Sequence, residues 1–179
     1  MEQLVMRWSI ERTPDEPEAP DWGEFVCRTF NGSDEDVDKW LDIVRYGLSD
    51  GKMAPESFWK IINDHGAMEP DKLFIVECGG DAAATLAVIP NYETKEGYIH
   101  MVACKPEYRG RGVGTRLNAE AVRTLHRIGM RTAYLTTDDF RIPAIKSYLR
   151  AGFYPDIVDE DHRARWDAVT EIINSGKKI

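Results

Sequence analysis

The stretch Tyr98–Leu117, YIHMVACKPEYRGRGVGTRL, decides how this chain folds. Its first seven residues, Tyr98 to Cys104, read as a β-strand that stops before Lys105-Pro106. From Gly112 to Arg127 the pattern is helical, with Val113, Leu117, Ala121, Leu125 and Ile128 on one face and Gly129 as the terminator. Between them stands Arg109-Gly110-Arg111-Gly112-Val113-Gly114. Glycines at such a junction let backbone approach a ligand closely, and the unpaired N–H groups of a helix start point outward. The result is an anion site suited to a pyrophosphate. A P-loop is excluded, because no Gly-Lys-Ser/Thr follows. A dinucleotide fingerprint, which needs GxGxxG with an acidic residue about 20 positions on, is excluded because the third glycine is wrongly spaced. On the glycines alone, a turn that holds no ligand fits equally well.

Upstream, Leu4 to Ile10 alternates as a short strand and runs into TPDEPEAP, a Pro- and acid-rich surface linker. Glu24 to Phe30 is a second strand. Asn31-Gly32-Ser33 makes a turn with Ser33 as N-cap, and Asp34, Glu35 and Asp36 occupy the positive end of the helix that follows. That helix is amphipathic through Val37, Trp40, Leu41, Val44 and Leu48. A shorter helix spans Pro55 to Gly66, with Phe58, Ile61 and Ile62 inward. KLFIVE and AAATLAVI flank Cys78-Gly79-Gly80-Asp81 as a hairpin, and Asn91 to Gly97 is turn-like. Downstream come a strand (Thr132–Thr137), a helix (Pro143–Arg150), an extended Phe153-Tyr154, and a helix from about His162 to Ile173 striped by Trp166, Val169 and Ile173. An α/β architecture follows, a mixed sheet with helices on its faces.

A chain of 179 residues suits one domain spanning 1–179. Within it, 1–20 form the N-terminal strand and acidic linker, and 159–175 the C-terminal helix. The formal net charge of −8 argues against nucleic acid, which needs a basic surface. It suits a cationic substrate, although a solvated acidic surface is the plainer reading. Cys27, Cys78 and Cys104 are odd in number and form no CxxC pair, so neither a disulfide framework nor a zinc site is expected. The four histidines are scattered, and no metal is implied. No run reaches the about 18 apolar residues of a membrane span. A soluble, cytoplasmic protein is expected.

Arg109-x-x-Gly112-x-Gly114, after a strand and at a helix start, is similar to motif A of the GNAT superfamily of N-acetyltransferases, [Q/R]-x-x-G-x-[G/A]. The lead-in Val102-x-Cys104-Lys105-Pro106-Glu107-Tyr108 also resembles that family. AIKSYLRAGFYP (Ala144–Pro155) resembles its motif B, A-x-x-x-Y-x-x-x-G-F. Together they cover Tyr98 to Pro155 in the family's order, with a strand between. The resemblance implies a GNAT-like α/β fold with a mixed, mostly antiparallel sheet flanked by helices. It implies transfer of acetyl from acetyl-CoA to a primary amine by direct attack in a ternary complex. The acceptor is left open between a small-molecule amine and a protein N-terminus, and a homodimer is the assembly it suggests.

Roles follow from the same resemblance. Amides of Val102, Ala103 and Cys104 would pair with the pantetheine arm, and the Val102 N–H would meet the oxyanion. The residues add support, since the apolar phase shifts from Ile99 and Met101 to Val102 and Cys104, as a β-bulge would cause. Backbone N–H groups of Arg109, Gly110, Arg111, Gly112, Val113, Gly114 and Thr115 would hold the pyrophosphate, with the Arg109 and Arg111 side chains assisting. Tyr148 falls where the family's general acid lies, protonating the leaving thiolate; packing between helix and sheet is its structural alternative. Ala144 and Ser147 share its helix face, close to the cofactor. Many members carry Asn where Arg141 stands, so Arg141 would reach the cofactor instead. The family's usual last strand is replaced by a helical IVDEDHRARWDAV, so that strand comes from elsewhere or the acceptor side is lined differently. A base is needed because an alkylamine is mostly protonated near neutrality. His100, Glu93, Glu96, Asp138 and Asp139 are the candidates, each with a structural reading of its own. No Cys–His pairing suggests an acyl-enzyme. A non-catalytic acyl-CoA-binding module, or transfer of another acyl group, fits the same residues.

Overall fold

Ser33 starts the first helix as its sequence requires: its hydroxyl accepts the Asp36 N–H at 3.2 Å, ahead of three carboxylates in the first turn. In chain order the elements are β1 (Leu4–Ser9), β2 (Phe25–Thr29), α1 (Asp34–Val44), α2 (Ser57–Ile62), β3 (Leu73–Cys78), β4 (Asp81–Asn91), β5 (Glu96–Cys104), α3 (Val113–Arg127), β6 (Thr132–Thr137), α4 (Ile142–Arg150), β7 (Tyr154–Asp156) and α5 (Glu160–Ser175). They are those of a computed structural model, which describes residues 2–48 and 53–175. β5 starts at Glu96, so two residues read from sequence as turn belong to the strand, where they pair with both neighbours.

The strands form one sheet in the order β2-β3-β4-β5-β6-β1-β7. Every pairing is antiparallel except β5 with β6. The β3–β4 hairpin turns through Gly79 and Gly80, at φ +61° and +91°, the left-handed pair that a two-residue hairpin loop demands. This is the mixed, mostly antiparallel sheet flanked by helices that the sequence led us to expect.

The strand beside β6 is β1, from the beginning of the chain. Leu4 pairs with Thr137, Met6 with Leu135 and Trp8 with Ala133, and the side chains of Leu4, Met6 and Trp8 are fully buried. β7 is only three residues long and adds to the outer edge of β1. α5 occupies the segment where a further strand would lie, and its Trp166 and Val169 pack into the same core as β1. Trp166 is therefore a core residue.

Two apolar layers sandwich the sheet. One joins α3, α4 and α5 to alternate residues of β1, β4 and β6, including Leu86, Val88, Leu117, Leu125 and Leu135. The other joins α1 and α2 to the opposite face through Trp40, Ile43, Phe58, Leu73 and Ile75. The acidic linker lies along α3, where Glu16 accepts from Arg127 at 2.8 Å. Among the described residues no helix is long and apolar enough to cross a membrane.

Candidate active site

β5 and β6 pair in parallel only over Glu96–Tyr98 and Thr132–Tyr134, and beyond Tyr98 the two strands part. The gap opens into a cleft of about 200 Å³ lined by Tyr98, His100 and Val102 of β5, Thr137 of β6, Arg141 at the N-cap of α4 and Tyr148 of α4. On its other edge β5 carries a bulge. Ala87 of β4 pairs with His100 and Thr85 with Ala103, so Met101 and Val102 together face Leu86 alone. Met101 absorbs the extra residue at φ +51°, a left-handed conformation that a side chain adopts at a cost of about 1–2 kcal/mol. The phase shift read from the sequence lies at this bulge. It re-aims the backbone from Val102 to Cys104 where β5 has lost its β6 partner.

The glycine loop follows at once. Gly110 and Gly112 are left-handed, at φ +76° and +79°, and Gly112 is the N-cap of α3. The first backbone bond of the helix is from the Arg116 N–H to the Gly112 carbonyl, 3.1 Å. Among the described residues the N–H groups of Gly110, Arg111, Gly112, Val113, Gly114 and Thr115 donate to no backbone carbonyl. Six open amides at the positive end of a 15-residue helix form an anion cradle. The arginines brace it. Arg116 donates to the Arg111 carbonyl at 2.8 Å and to the Asp21 carbonyl at 2.6 Å. Arg109 donates to the carbonyls of Cys104 and Tyr46, both at 2.9 Å, holding the end of β5 against the turn after α1. Arg111 pairs with Glu24 at 2.6 Å and lies over the Phe25 ring.

α4 lines the far wall. Tyr148 is 5% exposed, and burial pushes its phenol up to about 12 against the opposing pull of Arg141, so it is protonated at any physiological pH. Among the described residues its hydroxyl makes no hydrogen bond. Ser147 accepts from the Asn118 side chain of α3 at 2.8 Å, both residues being buried, and lies close to Gly114. Ala144 packs half-buried against the same core. Arg141 lines the cleft, yet its guanidinium is already engaged with Asp138 at 2.8 Å and the Gly47 carbonyl at 2.7 Å.

Residues 35–153 match the sequence model of the acetyltransferase (GNAT) family. The chain belongs to the GNAT family. Over 85 residues, 48% of this chain, it is 32% identical to a mycothiol acetyltransferase of Streptomyces bingchenggensis, of which it covers 28%. Its fold is similar to that of a GCN5-related N-acetyltransferase from Sphaerobacter thermophilus, with a TM-score of 0.70 at 22% identity over 87% of this chain and 50% of that one. It is also similar to Ard1 from Thermoplasma volcanium, with a TM-score of 0.63 at 17% identity over 78% of this chain and 92% of that one. The chain thus spans about half or less of the length of the first two relatives.

In this GNAT chain the structure brings Val102 at the β5 bulge, Arg141 and Tyr148 together around one cleft, while the glycine loop, Ala103, Cys104, Ala144 and Ser147 lie outside its lining. The candidate carboxylates stand apart from it. Glu96 pairs with Arg7 at 3.0 Å, Asp138 with Arg141, and Asp139 with Arg165 at 2.5 Å, while Glu93 is exposed in the β4–β5 turn. Cys104 and Cys27 are thiols, pushed up by burial to about 11 and about 12, which denies either the thiolate character a nucleophile needs. Sequence reasoning missed Asn118, Arg116 and Thr137. Asn118 interrupts the apolar stripe of α3 one turn after Gly114, a usable signal. Thr137, with a buried hydroxyl that has no partner among the described residues, shows none.

Proposed function

We propose that the chain transfers an acetyl group from acetyl-CoA to a primary amine by direct attack in a ternary complex. The observation that carries the reading is the run of six open amides from Gly110 to Thr115, at the start of α3 just beyond the end of β5. The residues fit the ligand. Gly110 and Gly112, both left-handed, present no side chain to an approaching phosphate, and the helix start supplies the opposing charge.

Acetyl-CoA supplies an activated thioester. The loop amides from Gly110 to Thr115 would hold its pyrophosphate, the Arg109 N–H being bonded to the Pro106 carbonyl at 3.2 Å, and the amides of Val102, Ala103 and Cys104 would hold its pantetheine arm in the gap that β6 leaves. The Val102 N–H would donate to the negative charge that develops on the carbonyl oxygen. Tyr148, kept as a neutral phenol by burial, would donate its proton to the leaving sulfur. Ala144 and Ser147 would form the floor between α3 and α4, with Ser147 fixed by Asn118. The acceptor belongs to the amine class, either a small molecule or a protein N-terminus, and the acidic net charge of −8 favours a cationic one.

Titration calorimetry with acetyl-CoA, beside free CoA, tests the reading. Binding in the micromolar range followed by thiol release with an amine panel is expected. A protein that binds neither form of the coenzyme would overturn it.

A further inference from the structure

We infer that His100 is the group that takes the proton from the acceptor amine, and that the Ile61 carbonyl of α2 selects the tautomer able to do so. The inference rests on the acetyl-transfer reading above.

His100 lines the cleft from β5, directly before the bulge that places Val102. Its Nε2 is 3.1 Å from the Ile61 carbonyl oxygen. A carbonyl can only accept, so Nε2 carries the hydrogen and, in the neutral ring, Nδ1 keeps a lone pair. Among the described residues no donor occupies Nδ1. Among the described residues no carboxylate lines the cleft. Glu96, Asp138 and Asp139 are held by arginines as described, so among the described residues that line the cleft His100 is the one imidazole, the side-chain type suited to proton transfer.

The groups that face it favour the neutral ring. Tyr98 lies tilted beside it at 5.1 Å and is itself stacked on Tyr134. His65, following α2, meets it edge-on at 5.2 Å, with Asp64 adjacent, and Arg141 and Tyr148 look across from α4. Burial holds the imidazole below its ordinary value against the hydrogen bond to the Ile61 carbonyl, with His65 adding to the lowering and Asp64 pulling weakly the other way. As the amine nitrogen bonds to the acetyl carbon, one N–H proton passes to Nδ1. As the C–S bond breaks, the sulfur takes the Tyr148 proton. Solvent then removes one proton and restores the other, so the products are the amide and the free thiol.

The test uses the full chain saturated with acetyl-CoA, with ethanolamine, spermidine and an alanyl tripeptide as probe amines and thiol release as readout. In the wild type, kcat/KM should rise with pH along an acidic limb. His100→Gln should lower kcat about 100-fold and abolish that limb, with the KM for acetyl-CoA unchanged, which a merely structural role would not produce. Nitrogen NMR of the labelled imidazoles should show His100 neutral and protonated on Nε2 at pH 7, a readout that needs no acceptor. A His100→Gln enzyme that keeps rate and limb, or a ring protonated on Nδ1, overturns the inference and leaves acetyl transfer standing. No thiol release from any probe amine by the wild type counts against acetyl transfer itself, and the inference falls with it.

Discussion

Arg141, at the start of α4, donates through Nη2 to the carbonyl of Gly47, 2.7 Å away. One side chain thereby ties the turn after α1 to the helix that carries Tyr148, across the mouth of the cleft. The same guanidinium holds Asp138 through Nε, so a single planar fork fixes three segments.

Arg141→Ala should release the turn at residues 45–48 without unfolding the sheet. Losing one charge-assisted bond is worth roughly 1.5 kcal/mol, or about tenfold in local opening. Hydrogen exchange across Tyr46 and Leu48 should quicken by that factor, while the melting temperature moves little. Unchanged exchange would mean that the turn is held by its own backbone bonds, such as the Leu48 N–H to the Val44 carbonyl.

Gly112→Glu should abolish acetyl-CoA binding. Two effects must be separated, because Gly112 is left-handed at φ +79° and a Cβ there would come within 3.1 Å of Arg116 Nη1. Gly112→Ala carries the same backbone cost, roughly 1 kcal/mol, without the charge. Calorimetry should find the alanine variant weakened and the glutamate variant silent. Wild-type affinity in Gly112→Glu would sink the assignment of the phosphate loop.

Tyr148→Phe keeps the ring and its edge contact with Phe153 and removes only the proton donor. Turnover with an amine found in the screen should fall about 100-fold, with acetyl-CoA affinity within a factor of two. Because burial pushes the phenol up to about 12, Tyr148 should contribute no alkaline limb below pH 10. An unaffected rate would assign the proton to water.

What the sequence made legible, and what it hid, divides along the range of the interactions. The bulge in β5 was readable because it displaces a period-two pattern within one strand. The N-cap at Ser33, the two-glycine hairpin and the open amides before α3 were readable because each depends on a few adjacent residues. The neighbours of β6 were not. Leu4–Ser9 reads as a strand, but nothing local says that it pairs with a segment some 130 residues away, since that register is decided by burial of Leu4, Met6 and Trp8 against α3 and α5. The site divides in the same way. Tyr148 was found through its flanking motif, whereas the Ile61 carbonyl that fixes the His100 tautomer comes from a backbone atom 39 residues away and has no side-chain signature.

Asp36 anchors α1 to the edge of the sheet, and its loss should lower stability at neutral pH. The residue is 1% exposed. Burial alone would raise its carboxyl, but Arg28, at 2.6 and 2.8 Å, and the Asn31 N–H, at 2.9 Å, hold it below the ordinary 3.8. Arg28 also binds Glu77 of β3 at 2.8 Å and holds that carboxyl below 4.5. Both depressed groups contribute stability that is complete above their unfolded values and is lost as pH falls through the folded ones. Asp36→Asn leaves Arg28 half-paired beside a buried amide, a change expected to cost about 2–3 kcal/mol at pH 7. In urea melts at pH 7, 4 and 3, the gap between wild type and variant should narrow as the pH drops, because acid removes from the wild type the charge the variant already lacks. A gap that stays constant down to pH 3 would mean that Asp36 acts through shape alone.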